Sequence, residues 1–317
     1  MILLISNNSI NRKKWDACID KAINGYVYAY SWYLDLVAPD WIALVDGDYK
    51  AVFPLPVRKK MGISYIFQPP FVQQLGLFSS EIPSLEVLED FIAAIPKWIR
   101  YGEMNLNKYN LLTGPDHKLL RRRTNELDLI RPYPEIVQAY HQNLKRNLKK
   151  ASSNTYHYVS FGDPQTIIDT FNQTQNKEKA YFKPSELVII KRLTYEALQR
   201  GNAHVRFLFD EKNQFMSGAI FMESHQKIIF LFSAQSPLGR ERNSLALLLD
   251  RFIFENANRN LVFDFEGSDN PGLDRYYKAF GAKECVYLQW SINNLPFLFS
   301  FAATILKKLK SLSRRLC

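Results

Sequence analysis

The stretch Phe263-Asp264-Phe265-Glu266-Gly267-Ser268-Asp269-Asn270-Pro271-Gly272-Leu273-Asp274-Arg275-Tyr276-Tyr277-Lys278-Ala279-Phe280-Gly281-Ala282 decides how the chain is read. An apolar, aromatic strand carries two carboxylates, breaks at Gly267-Ser268, crosses a polar turn and enters a short aromatic helix that stops at Gly281. Side chains alternate along a strand, so Asp264 and Glu266 are expected on one face while Phe263 and Phe265 take the core face. Strand, break and helix form the wall of a cleft.

Upstream, strands read at 204–209, 215–222 and 227–234, joined by Asp210-Glu211-Lys212-Asn213 and His225-Gln226 as in a meander. After Ala234 comes Gln235-Ser236-Pro237-Leu238-Gly239-Arg240-Glu241-Arg242-Asn243-Ser244, then a helix over 245–257. A strand entering a polar, Gly-containing loop and a helix can hold an anion, because the helix start offers free N–H groups and the positive end of its dipole. Arg240 and Arg242 add bidentate donors. Helical spacing also marks 133–151, 164–177 and 184–200. On the first of these, Lys145, Arg146, Lys149 and Lys150 recur three and four residues apart as one basic stripe, which fits a bound anion or a solvated face equally.

The first half reads as a mixed α/β unit. A helix at 14–23 is followed by strands at 41–45 and 49–56, joined by the hairpin signal Asp46-Gly47-Asp48. A helix is expected over 82–101 and further strands at 103–106 and 123–129. The break at Arg131-Pro132 divides the chain into domains at 1–131 and 132–294, with a basic tail at 295–317.

Composition limits the function classes. A chain of 317 residues, 47% hydrophobic and 14% aromatic, can bury two cores of ordinary size and is not a disordered or repeat protein. Cys18, Cys285 and Cys317 show no C-x-x-C spacing, and the five histidines show no paired spacing, so neither a disulfide framework nor a metal site is expected. Met1-Ile2-Leu3-Leu4-Ile5 gives way at once to Ser6-Asn7-Asn8 and reads as a first strand, in a cytoplasmic protein. The net charge of +10 gathers at Arg58-Lys59-Lys60, Arg121-Arg122-Arg123, the 145–150 stripe and the tail, which favours a polyanionic partner. In the tail, an apolar run at 296–306 leads into Lys307 to Arg315. That pattern fits either an interfacial anchor at the inner face of the membrane or a helix docked on the protein.

Taken in order, these parts resemble the acyl-CoA-dependent N-acetyltransferase (GNAT) fold, and more strongly the double-GNAT, FemAB-like group. The residues that carry the resemblance are Asn147-Leu148-Lys149-Lys150-Ala151, Ser233-Ala234-Gln235 through Gly239-Arg240, and Phe263 through Ser268 followed by Tyr276 to Ala282; Ser31-Trp32-Tyr33-Leu34-Asp35 and Pro54-Leu55-Pro56-Val57-Arg58 look like the first half of such proteins. The resemblance implies an α/β (α+β) fold of two GNAT-like domains, each a mixed, mostly antiparallel twisted sheet flanked by helices. It also implies transfer of an acyl or aminoacyl group to an amine on a small molecule, a peptide or a cell-envelope precursor. The donor would be acetyl-CoA or another acyl-CoA, or else aminoacyl-tRNA. In single-domain GNATs the acyl-CoA loop reads Gln or Arg, two residues, Gly, one residue, Gly or Ala. Here Asn243 stands in place of the first Gly and Leu245 in place of the small residue, which leaves the two donors open.

Acyl transfer needs a base for the amine and donors for the oxyanion. Glu266 is the expected base, with Asp264 orienting it or the acceptor. Tyr277 falls where the resemblance places an acid for the leaving group. Gln235, Gly239, Arg240, Asn243 and Ser244 are expected at the donor, and Lys278 at a phosphate. A GNAT-like module that holds RNA or anionic lipid without catalysis is the competing expectation.

Overall fold

The computed structural model describes residues 1–114, 117–174, 182–267 and 270–295. Two units emerge, one of residues 1–121 with 287–295 and one of residues 122–286. The boundary therefore falls inside the strand Lys118–Asp128 and not at 131, and the stretch from 287 rejoins the first unit. The cause is strand pairing: residues 289–293 run antiparallel to 101–105, from Gln289↔Asn105 to Asn293↔Tyr101. The tail expected beyond 295 lies outside the described residues, as does Ser268.

In the first unit the order is β1 (Ile2–Ile5), α1 (Arg12–Lys21), α2 (Ser31–Val37), β2 (Ile42–Asp46), β3 (Ala51–Leu55), β4 (Val57–Lys60), β5 (Ile63–Ile66), β6 (Phe78–Ser79), α3 (Leu85–Ala93) and β7 (Ile99–Asn105). Strands β1-β2-β3-β6 make one sheet, with β2 and β3 the expected hairpin. The helix expected over 82–101 stops at Ala93, because Pro96 cannot donate to the ladder and clashes with the preceding turn. The chain then re-enters as β7.

From β8 (Lys118–Asp128) the second unit continues as α4 (Tyr133–Gln138), α5 (Gln142–Ala151), β9 (Tyr156–Val159), α6 (Gln165–Thr174), α7 (Pro184–Gln199), β10 (Ala203–Asp210), β11 (Phe215–Ser224), β12 (Lys227–Gln235), α8 (Pro237–Glu241), α9 (Ser244–Asn256), β13 (Val262–Asp264) and α10 (Pro271–Lys278), ending in β14 (Lys283–Asn293). Its sheet runs β8-β13-β12-β11-β10-β9, antiparallel throughout except for the parallel β12–β13 pair. The helix expected over 133–151 is two helices. At the break His141 is extended and its N–H donates to Ala279 O at 2.9 Å, which ties the start of α5 to the end of α10.

One face of this sheet carries the core. Leu144 of α5 and Leu248, Leu249 and Phe252 of α9 cover Leu208, Ala219, Phe221, Ile228 and Phe263. Phe221 and Phe252 stack at 3.7 Å and 3°. On the opposite face, Gly218 leaves room for Ile167 of α6, which would lie 2.6 Å from a Cβ there. Among the described residues no helix is long and apolar enough to cross a membrane. Phe221→Ala should lower the unfolding free energy by about 3–5 kcal/mol, the usual cost of emptying an aromatic core site, read as a shifted denaturant midpoint at unchanged slope.

Candidate functional site

The parallel pair that organises the site is short. β12 and β13 are in register only from Lys227↔Val262 to Ile229↔Asp264. Beyond that point β12 stays with β11 up to Gln235, while the chain after β13 turns to β8 through Phe265 N–H donating to Asn125 O at 2.9 Å. The strands part at a bulge: Phe221 faces Phe230 and Ile220 faces Phe232, so Leu231 is an extra residue in β12. A bulge leaves one residue out of the ladder and bends its strand. Leu231 and Glu266 therefore stand two residues beyond Ile229↔Asp264, one on each arm of the opening.

On the β13 arm, Glu266 is in the left-handed region with φ 60°, which a non-glycine side chain adopts at a cost. Asp264 fixes the peptide plane that enters it, since its Oδ1 accepts the Glu266 N–H at 2.9 Å. Gly267 follows because the backbone passes so close to β8 that a Cβ would lie 1.8 Å from Arg123 O. Asp264 itself is 1% exposed. Its carboxylate also accepts from Thr124 Oγ1, and from Lys227 Nζ at 3.2 Å. Lys227 Nζ reaches Glu126 Oε1 at 2.5 Å as well. Asp264 and Glu266 were expected on one face of a continuing strand, and here the strand stops between them. The strand ends at Asp264, whose carboxylate is enclosed by protein donors and orients the backbone of Glu266.

The β12 arm ends in a hollow of about 170 Å³ lined by Phe171, Thr174, Ser233, Ala234, Gln235 and Arg240. The rings of Phe171 and Phe182 lie 4.9 and 6.0 Å from Phe232, forming an aromatic wall beside it. The loop after Gln235 is more ordered than its sequence implies. Ser236 Oγ caps α8 by accepting from Gly239 N at 3.0 Å. Gly239 is buried, its N–H is taken by the Ser236 cap, and a Cβ there would lie 2.0 Å from Met216 O, so close packing of α8 on β11 requires a glycine at this position. Asn243 takes φ 56°, the left-handed conformation a glycine would supply, and α9 starts immediately after it. Gln235 Oε1 accepts from Leu245 N at 3.4 Å. Ser244 is fully buried and its Oγ has no hydrogen-bond partner.

Tyr277 lies beside the opening: its ring stacks on Phe265 at 5.2 Å and meets Phe230 edge-on, so it touches the residue next to Glu266 on one arm and next to Leu231 on the other. Lys278 is held by Asp274 and Glu284, both at 3.0 Å, and these carboxylates raise its pKa above the ordinary lysine range. The structure thus brings together Gln235, Arg240, Asn243 and Ser244 on one arm and Asp264 with Glu266 on the other, sets the ring of Tyr277 against both strands, and pairs Lys278 with two carboxylates. Sequence reasoning missed Thr124, Glu126, Lys227, Phe171 and the Leu231 bulge. Only Lys227, a charge opening an otherwise apolar strand, carried any local signal.

The basic stripe lies on α5, which packs against α9. Arg146, Lys149 and Lys150 are exposed, and no acidic residue occurs between Glu135 and Asp163. Among the described residues no carboxylate forms an ion pair with Lys145, Arg146, Lys149 or Lys150; the Lys145 ammonium donates to Gln138 O and Arg146 to Asn143.

Comparison with known proteins places this architecture. No protein-family model matches the sequence, and no curated protein sequence matches it. Among solved structures, FemX superposes with a TM-score of 0.65 at 13% identity, covering 90% of this chain and 96% of FemX. The chain shares the fold of FemX. The C-terminal domain of a putative lysylphosphatidylglycerol synthetase from Agrobacterium fabrum gives 0.55 at 10% identity, over 94% of this chain and 96% of its own. L-PGS from Bacillus licheniformis gives 0.53 at 11% identity, over 84% and 88%.

Gly239→Ala separates packing from ligand contact. With Met216 O in the way it should cost about 1–3 kcal/mol in unfolding free energy without any ligand present, read by chemical denaturation. A variant as stable as the parent would return Gly239 to the ligand.

Proposed function

We propose that the second unit transfers an acyl or aminoacyl group to an amine, in the opening between the diverging arms of β12 and β13. The observation that carries this reading is the bulge at Leu231 facing a strained carboxylate residue, Glu266, across strands that have just parted. Bulges beside a sheet break re-aim backbone groups, and strain at a single non-glycine residue points to use. The acceptor amine attacks the donor carbonyl carbon while Glu266 takes the proton from its nitrogen. The carbonyl electron pair moves to oxygen, where the amide at the bulge stabilises it. Collapse of the tetrahedral intermediate expels a thiolate from an acyl-CoA or a ribose oxygen from an aminoacyl-tRNA, and the leaving atom takes up a proton.

The donor is polyanionic in either case. Gln235, Arg240 and the start of α9 would meet it near the carbonyl, and the unpaired cations of α5 would meet phosphates further along. Asn243 supports this placement, because its left-handed conformation keeps the turn into α9 that a glycine would otherwise make.

Calorimetric titration with acetyl-CoA, longer acyl-CoAs and charged tRNA should identify one donor class. With that donor, Glu266→Gln should lower turnover about 10²–10⁴-fold, the usual worth of a general base, and leave donor affinity within about twofold. Donor binding with no turnover by the parent protein, across a panel of amines, would favour the non-catalytic module instead.

A further inference from the structure

We propose that Lys227 is a positioning residue for Glu266, acting through Asp264. The inference rests on the role given to Glu266 above. Lys227 opens β12, yet its side chain is only 10% exposed and its ammonium lies between Glu126 Oε1 at 2.5 Å and Asp264 Oδ2 at 3.2 Å. A cation this far from water is kept there by its two carboxylates, and each carboxylate is kept there by the cation. With Oδ2 engaged by Lys227, Asp264 turns Oδ1 toward Thr124 Oγ1 and the Glu266 N–H. That last bond fixes the peptide plane from which Glu266, at φ 60°, departs. The chain of contacts runs from the root of the parallel pair, Lys227↔Val262, to its mouth, and every link lies within one sheet.

Two features separate this arrangement from a plain structural ion pair. First, it ends on the backbone amide that enters Glu266 rather than on another side chain, so its geometric output is the placement of that peptide plane. Second, the acceptor of that amide is a carboxylate whose other oxygen is gripped by Lys227, and hydrogen bonds to charged acceptors are stronger than neutral ones. Without Lys227 the buried Asp264 carboxylate would lose its counter-charge and move toward water, and the Glu266 amide would lose its acceptor.

The test is amide hydrogen exchange on the full chain labelled with 15N-glutamate, with the Glu266 signal assigned by its absence in Glu266→Gln. Lys227→Met should speed exchange at residue 266 by about tenfold or more, the effect of losing one charge-assisted bond, while the Glu223 amide in β11 changes less than about threefold. Lys227→Arg should restore protection. If Lys227→Met does not fold, Thr124→Val decides, because it weakens the same carboxylate without leaving a charge unpaired, and it too should act on residue 266 alone. Unchanged exchange at residue 266, or equal acceleration at Glu223, overturns the proposal. In turnover assays with the donor found by titration, Lys227→Met should lower kcat and leave KM within about twofold. The base reading fails separately, if Glu266→Gln keeps full kcat while the exchange result stands.

Discussion

The second unit depends on one constraint of backbone chemistry. Every strand in a sheet must find partners for its N–H and C=O groups, and β13 has two neighbours that diverge. Its partner β12 bends away at Leu231 while β8 continues straight, so the chain after Asp264 follows β8 and the parallel pair opens. The opening is thus paid for on both sides: β12 retains β11 through Gln235, and Phe265 retains Asn125. A concave site arises in the middle of the sheet, where each arm keeps one neighbour and turns its other edge to the opening.

At the root of the opening sits a cation between two carboxylates. Removing such charges from water costs more than their attraction commonly returns, so the cluster of Lys227, Asp264 and Glu126 is poor evidence for stability and better evidence for specification. What it specifies can be read from its contacts. Packing of Phe263 and Phe265 anchors β13 in the core, and the bond from the Glu266 amide to Asp264 fixes the direction of the peptide plane that leaves it. The aromatic side of β13 supplies the adhesion, and the polar side supplies the direction.

How much of this was legible in the sequence follows from the range of the forces involved. The meander, the hairpin at Asp46-Gly47-Asp48 and the helix into Gly281 are fixed by local period and turn chemistry, and they form where that chemistry puts them. Asn243 was legible as a departure from a glycine, and it keeps the glycine-like dihedral because its short polar side chain tolerates that region. Gly239 misled, since a glycine at a loop reads the same whether backbone or ligand comes close, and here the close neighbour is Met216 O from β11. The alternation of Asp264 and Glu266 misled for a related reason. It assumes the strand continues, but its end is set by Thr124 and Lys227, which are distant in the chain. The Leu231 bulge left no mark at all, because Phe230-Leu231-Phe232 reads as an unbroken apolar strand.

The charge of α5 supports the same picture from outside the opening. Some cations of the second unit are matched, Arg206 with Glu255, Arg259 with Glu223 and Lys278 with two carboxylates, whereas the four clustered on α5 share a helix that carries no acid and packs against α9. Four cations on three turns repel one another, and a bound polyanion relieves that repulsion where water and salt only screen it. The exposed face of α5 and of the turn after it carries Asn143, Asn147, Ser152 and Ser153 and no large apolar side chain. Such a face suits phosphate and sugar groups and lacks what a helix needs to enter a bilayer interface.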